Sequence, residues 1–143
     1  MKRALIITAL GGFIRSFLTN DIKILQELGY EVTCMANNNH VGSNLIYDNY
    51  KENNCCFIDA QFSSSNHFAL CNLKTYLKIR KILKNNYFDL IHVHTPIAGM
   101  IVRIAARKTR KKGTKVIYTT HGFAFTDDSK SIKEKLFKII EKI

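Results

Sequence analysis

What the sequence has little of narrows its class first. No uninterrupted apolar run approaches the ~20 residues that a membrane-crossing helix needs. The nearest candidate, Ala4 to Leu10 behind Met1-Lys2-Arg3, is short, contains Thr8 and ends in Gly11-Gly12 rather than a small-x-small cleavage site. It therefore reads as a buried first strand and not as a signal peptide. The four cysteines, Cys34, Cys55, Cys56 and Cys71, include no CxxC pair, which excludes a zinc knuckle and gives no disulfide framework. They are expected to be free thiols packed in the core, as a reducing cytoplasm allows. There is no GxGxxG dinucleotide fingerprint, no internal repeat and no low-complexity segment.

Basic residues are scarce in one half only. Through Asn72, five Lys/Arg face six Asp/Glu; from Leu73 onward seventeen face five, so the second half carries the excess behind the net charge of +11. Such asymmetry points to an anionic partner, whether nucleic acid, a membrane surface or a phosphorylated substrate. The basic residues Arg103, Arg107, Lys108, Arg110, Lys111 and Lys112 are not interleaved with aromatics, as single-strand binding requires, and no helix-turn-helix, zinc or RNA-recognition pattern is present. Nucleic acid is not expected as a partner. An anionic membrane surface is, at ~1 kcal/mol per basic residue close to the lipid.

What is present alternates between strand and helix signals. Arg3 to Ala9, Glu31 to Ala36, Cys55 to Ile58, Leu90 to His94 and Lys115 to Thr120 read as strands. Between them, Leu18, Ile22, Leu25 and Leu28 fall at helical spacing and end at Gly29, a C-cap. Leu73 to Asn85 predicts a helix with Leu73, Tyr76, Leu77 and Leu83 turned inward and Lys74, Lys78 and Lys81 outward. Thr95-Pro96 predicts an N-cap and first position for a helix reaching about Arg110, and Ser131 to Ile143 a last helix cut by the chain end. Solidly apolar strands separated by helices imply an α/β fold, a Rossmann-like parallel sheet with helices on both faces. Ligands of such folds bind at the carboxyl ends of the strands.

Three segments occupy those ends. Gly11-Gly12 would let backbone N–H groups approach an anion, or it is a plain tight turn. In Asp89-Leu90-Ile91-His92-Val93-His94-Thr95-Pro96, His92 and His94 share one face of a strand. A zinc site there lacks an evident third ligand, so His92 reads as a buried, hydrogen-bonded residue and His94 as the better site candidate. In Thr119-Thr120-His121-Gly122-Phe123, His121 can present its ring at the mouth of the sheet, to donate to a hydroxyl or phosphate or to take a proton.

These segments, with Leu28-Gly29-Tyr30-Glu31-Val32 and Lys112-Gly113-Thr114-Lys115-Val116-Ile117-Tyr118, resemble glycosyltransferase family 4, in the N-terminal domain of bacterial capsular and exopolysaccharide enzymes of the GT-B fold. The resemblance spans nearly the whole chain. It implies a retaining, metal-independent glycosyltransferase without a cofactor, moving a sugar from a nucleotide-sugar donor to a polyprenyl-diphosphate-linked acceptor. Its place would be cytoplasmic, peripheral on the inner face of the membrane. By carry-over, His121 would be catalytic, Gly11 and Gly12 would lie against the donor phosphates, and Arg15, His94 and Thr95 would bind acceptor. The family's E-x7-E donor motif is missing, since Glu134 and Glu141 are one residue too close, and Phe62-Ser63-Ser64-Ser65 stands where many relatives carry Arg and Pro. Residues 1–143 are thus expected to be a single acceptor-side domain, truncated in its last helix, lacking the donor-binding C-terminal domain and inactive alone. The alternative is a non-catalytic module docking a separate catalytic subunit at the membrane; a sugar-nucleotide epimerase of similar architecture fits the HxHTP segment less well.

Overall fold

The computed structural model describes residues 1–38, 54–63 and 69–121. Five strands, β1 (Lys2–Leu10), β2 (Tyr30–Asn37), β3 (Cys56–Asp59), β4 (Leu90–His94) and β5 (Lys115–Thr119), form one sheet in the order β3-β2-β1-β4-β5. Every pairing is parallel. The apolar strand sequences follow from this: a parallel sheet is covered on both sides, so consecutive residues of β1 must both be buried. Ala4 and Ile6 meet Ile14, Leu18, Ile22 and Leu25 on one face, while Leu5 and Ile7 meet Ile79, Leu83, Ile97 and Ile101 on the other. Full burial of each such side chain contributes about 1.5–3 kcal/mol.

The first face is covered by a helical run in three pieces: α1 (Gly11–Phe13), a π-helical turn (Ile14–Leu18) and α2 (Thr19–Glu27). The run starts at Gly11, ahead of Leu18, where the apolar periodicity begins. Gly29, at φ +81°, closes it as expected, with its N–H donating to the Gln26 carbonyl at 2.9 Å. Leu28 is exposed, not part of the buried stripe.

The second face carries α3 (Leu70–Asn85), α4 (Pro96–Ala105) and a short α5 (Arg107–Arg110), so the helix expected to reach Arg110 breaks at Ala106. The expected orientation of α3 holds for Leu83, Tyr76 and the outward lysines but fails at Leu73 and Leu77. Its buried residues are Asn72, Thr75, Ile79 and Leu83; Leu70, Leu73 and Leu77 point to solvent, 76%, 54% and 54% exposed. Asn72 acts as a surrogate strand: its Oδ1 accepts from the Ser63 N–H (2.9 Å) and its Nδ2 donates to the Ser63 carbonyl (3.0 Å). Thr75 donates its hydroxyl to the Gln61 carbonyl. Buried polar groups satisfied by a neighbouring loop rotate the helix away from the face its leucines predict.

Asp89 anchors the start of β4. Its carboxylate accepts the Arg3 N–H at 2.7 Å, its own N–H donates to the Arg3 carbonyl, and its carbonyl accepts from the Lys115 N–H. Of the cysteines, Cys34 is buried as expected, but Cys55 and Cys71 are half-buried and Cys56 is exposed. The expected helix at Ser131 to Ile143, and Gly122-Phe123, lie outside the described residues.

Candidate functional site

The carboxyl ends of β1, β4 and β5 bring together the residues that the sequence places there. His94, last in β4, is 1% exposed, and its Nδ1 lies 3.0 Å from Nε2 of His121, an exposed residue two past the end of β5. The rings are stacked, 5.3 Å between centroids. Phe13, next to Gly12, reaches both: 4.7 Å edge-on to His121 and 6.2 Å to His94. The glycine segment and the two histidines therefore meet at one place on the carboxyl edge of the sheet, with the His94 imidazole buried and His121 exposed.

Each group is placed by its element. Parallel pairing sets His94 opposite Thr119, so the chain just beyond β5 carries His121 over the end of β4. Gly12 is exposed, and a Cβ built on it would meet nothing within 4 Å, which leaves open space above the turn. The turn leads directly into the π-helical segment, a local form that recurs at functional sites. That segment leaves Phe17 67% exposed while its ring packs on Phe13 at 4.9 Å. Arg15, in the same segment, is exposed; its carbonyl accepts the Thr19 hydroxyl at 3.0 Å.

Thr95 behaves differently from its expected role. It precedes α4, but its side chain makes no capping bond; instead its Oγ1 accepts the Ala9 N–H at 3.2 Å. The same residue sits at φ +69° and ψ 140°, a backbone region that a β-branched residue rarely visits. Strained backbone of this kind costs of order 1–3 kcal/mol and collects at functional sites. The strain lies where β4 turns into α4.

The electrostatics favour neutral imidazoles. Burial, reinforced by the neighbouring charges of His92 and His121, pushes the His94 pKa down to about 3. Burial also lowers that of His92, against the pull of the Asp21 carboxylate. His92 is half-buried and hydrogen-bonded, as expected, through Nε2 to the Thr119 hydroxyl at 2.8 Å. The expectation that no third ligand accompanies His92 and His94 is corrected: Asp21, in the first turn of α2, offers a carboxylate oxygen, and one ligand atom from each of the three lies within 4.8 Å of the others. Sequence spacing could not show this, because α2 folds back over the sheet from 71 residues away.

Among the described residues, four buried side-chain polar atoms lack a hydrogen-bond partner, and three of them, on Thr8, Asn38 and His94, lie at or just past the carboxyl half of a strand. Buried polar atoms are nearly always satisfied, so each of these is an exception among the described residues. A second feature lies elsewhere. Leu77, Arg80, Lys81 and Lys84 of α3 line a groove of about 490 Å³ with Lys108 of α5 and Lys112 beyond it. Among the described residues no helix is long and apolar enough to cross a membrane.

The sheet order and the two helical layers define a Rossmann-like α/β domain. The chain belongs to the glycosyl transferase 4-like family, whose sequence profile matches residues 7–143. It is 28% identical, over 99% of its length and 34% of the relative's, to a provisionally named glycosyltransferase, EpsD, of Bacillus subtilis (strain 168). It is 37% identical, over 76% of its length and 31% of the relative's, to an uncharacterized 41.2 kDa protein in the cps region of Klebsiella pneumoniae. Half of it is 35% identical to 17% of the Escherichia coli UDP-Gal:alpha-D-GlcNAc-diphosphoundecaprenol alpha-1,3-galactosyltransferase. The chain thus spans about a third or less of the length of these curated relatives. Among solved structures, a glycosyltransferase from Rickettsia africae superposes with TM-score 0.62 at 20% identity, covering 99% of this chain and 35% of that one. MurG of Acinetobacter baumannii gives 0.61 at 16%, covering 98% and 40%. A Pseudomonas putida hydratase reaches 0.56, so these superpositions speak for the fold alone.

Proposed function

We propose that residues 1–143 form the acceptor-side half of a GT-B glycosyltransferase that moves a sugar from a nucleotide-sugar donor to a polyprenyl-diphosphate-linked acceptor for capsular or exopolysaccharide. Family membership supports the reaction class. The relative acting on a diphosphoundecaprenol-linked sugar supports the acceptor class. The observation that carries the reading is the mutual contact of Phe13, His94 and His121 beside Gly12. His121, the exposed ring, contacts the sugar being transferred, orienting a hydroxyl or stabilising charge in the transition state. His94 holds the His121 ring from behind. Gly12 leaves space for donor phosphates, while Gly11 is buried, and Arg15 with Thr95 borders the acceptor. The donor nucleotide binds a second domain outside these residues.

The same reading places the protein on the inner face of the membrane. The groove of Arg80, Lys81, Lys84, Lys108 and Lys112 supplies positive charge, and the solvent-facing Leu70, Leu73 and Leu77 beside it supply apolar side chains for an anionic bilayer interface. A docking module would use this face too, but would need no imidazole pair at the carboxyl edge of the sheet.

Titrating a short-chain polyprenyl-diphosphate-linked N-acetylglucosamine into isotopically labelled protein tests the site. Shifts should concentrate on Gly12, Phe13, Thr95 and His121; shifts confined to α3 and α5 would sink the acceptor reading and leave only membrane docking. Flotation tests the membrane face: binding to vesicles with about a third anionic lipid should fall steeply with salt and in a Leu73→Ser/Lys81→Glu variant. Equal binding to zwitterionic vesicles would remove it.

A further inference from the structure

We propose that Asp21, His92 and His94 bind one divalent transition-metal ion of the zinc class. Two imidazoles and a carboxylate are the ligand set that such ions select, and three protein ligands with a fourth position open is a recurrent zinc arrangement. One ligand atom of each residue lies within 4.8 Å of the other two. Bond lengths of about 2.0–2.2 Å around a tetrahedral ion set ligand atoms about 3.4 Å apart. Side-chain adjustment of the half-exposed Asp21, with the two histidines already on one face of a central strand, would draw the three ligand atoms toward that spacing.

The hydrogen bonds around the histidines have the pattern that ligation needs. A metal-binding imidazole donates its other N–H to a neighbouring acceptor, and that contact sets both tautomer and ring orientation. His92 has Thr119 Oγ1 at 2.8 Å from Nε2, and His94 has His121 Nε2 at 3.0 Å from Nδ1. Donation through these contacts leaves lone pairs on His92 Nδ1 and His94 Nε2. His94 Nε2 is the independent sign of a ligand. It is buried in a residue 1% exposed and has no hydrogen-bond partner among the described residues. An ion on Nε2 leaves Nδ1–H free to hold His121, so the site ties α2 to β4. The sugar-transfer reading is not required for it.

The test is to strip the full chain with chelator, then titrate Zn²⁺ by calorimetry and Co²⁺ by visible absorption. One equivalent should bind, Co²⁺ should give the intense bands of a four-coordinate ion, and histidine ¹⁵N spectra should place the metal on His94 Nε2. Asp21→Asn, nearly isosteric, should weaken Zn²⁺ binding by about tenfold or more, as should His92→Asn, judged on variants with unchanged circular dichroism. Cys55→Ser/Cys56→Ser should leave it unchanged. Absence of stoichiometric binding would overturn the site, with Nε2 then meeting only water. So would affinity that survives Asp21→Asn but is lost in the cysteine variant.

Discussion

His94 Nδ1 and His121 Nε2 lie 3.0 Å apart, one ring inside the protein and the other at its surface. The contact fixes the outer imidazole through a buried one that stays neutral. Because burial depresses the His94 pKa to about 3, the unfolded chain takes up a proton that the folded chain refuses. The contribution is fully favourable above the ordinary histidine range, near 6.5, and declines as pH falls from there toward 3.

Denaturant titrations between pH 7 and 5, above most carboxylate titration, should therefore show stability falling by up to about 1.4 kcal/mol per pH unit for this group. His92, also depressed, adds in the same direction. His94→Asn should flatten the slope. A wild-type slope of zero over that interval would mean that His94 is protonated in the native state.

Thr95 should be replaceable only by a residue that keeps the hydroxyl. Thr95→Val conserves shape but leaves the buried Ala9 N–H without its acceptor, at about 1–3 kcal/mol. Thr95→Ser should restore most of that. Equal stability of the two variants by chemical denaturation would show that the bond contributes nothing.

Gly99 on α4 is required by close packing. A Cβ there would stand 3.0 Å from Cε2 and 3.1 Å from Cδ2 of Tyr118. Overpacking of about 1–3 kcal/mol outweighs the helix propensity gained from alanine, so Gly99→Ala should lose about 1 kcal/mol net. In a Tyr118→Leu background the same change should be neutral or stabilising. A double-mutant cycle with no coupling would refute the contact.

The thiols should react in order of exposure. Cys56 should be alkylated first and Cys34 only on unfolding; a hydrogen bond with Cys55 and burial both raise the Cys34 pKa, while the same bond lowers that of Cys55. Mass mapping after a short iodoacetamide pulse decides this, and early labelling of Cys34 would contradict the packing of β2.

Much of the architecture was legible from local pattern. Apolar strands such as Ala4 to Ile7 can be stable only when covered twice, and Gly29 announces its positive φ. The histidines at strand ends were legible because parallel topology puts every such end on the same edge. The face of α3 was not: leucine spacing pointed Leu73 and Leu77 inward, and only the loop at Gln61 and Ser63, supplying partners to Thr75 and Asn72, turned them out. Thr95 had the residue type of a cap but spends its hydroxyl on Ala9.

Residue order alone determined the alternation of strands and helices, the doubly covered sheet and the edge on which chemistry gathers, since these follow from periodicity and chain chirality, which are local. Tertiary structure decided which imidazole is buried, which carboxylate stands beside it and which leucines meet solvent. Those outcomes depend on atoms far apart in the chain competing for the same hydrogen bonds and the same space, and no window of neighbouring residues contains both competitors.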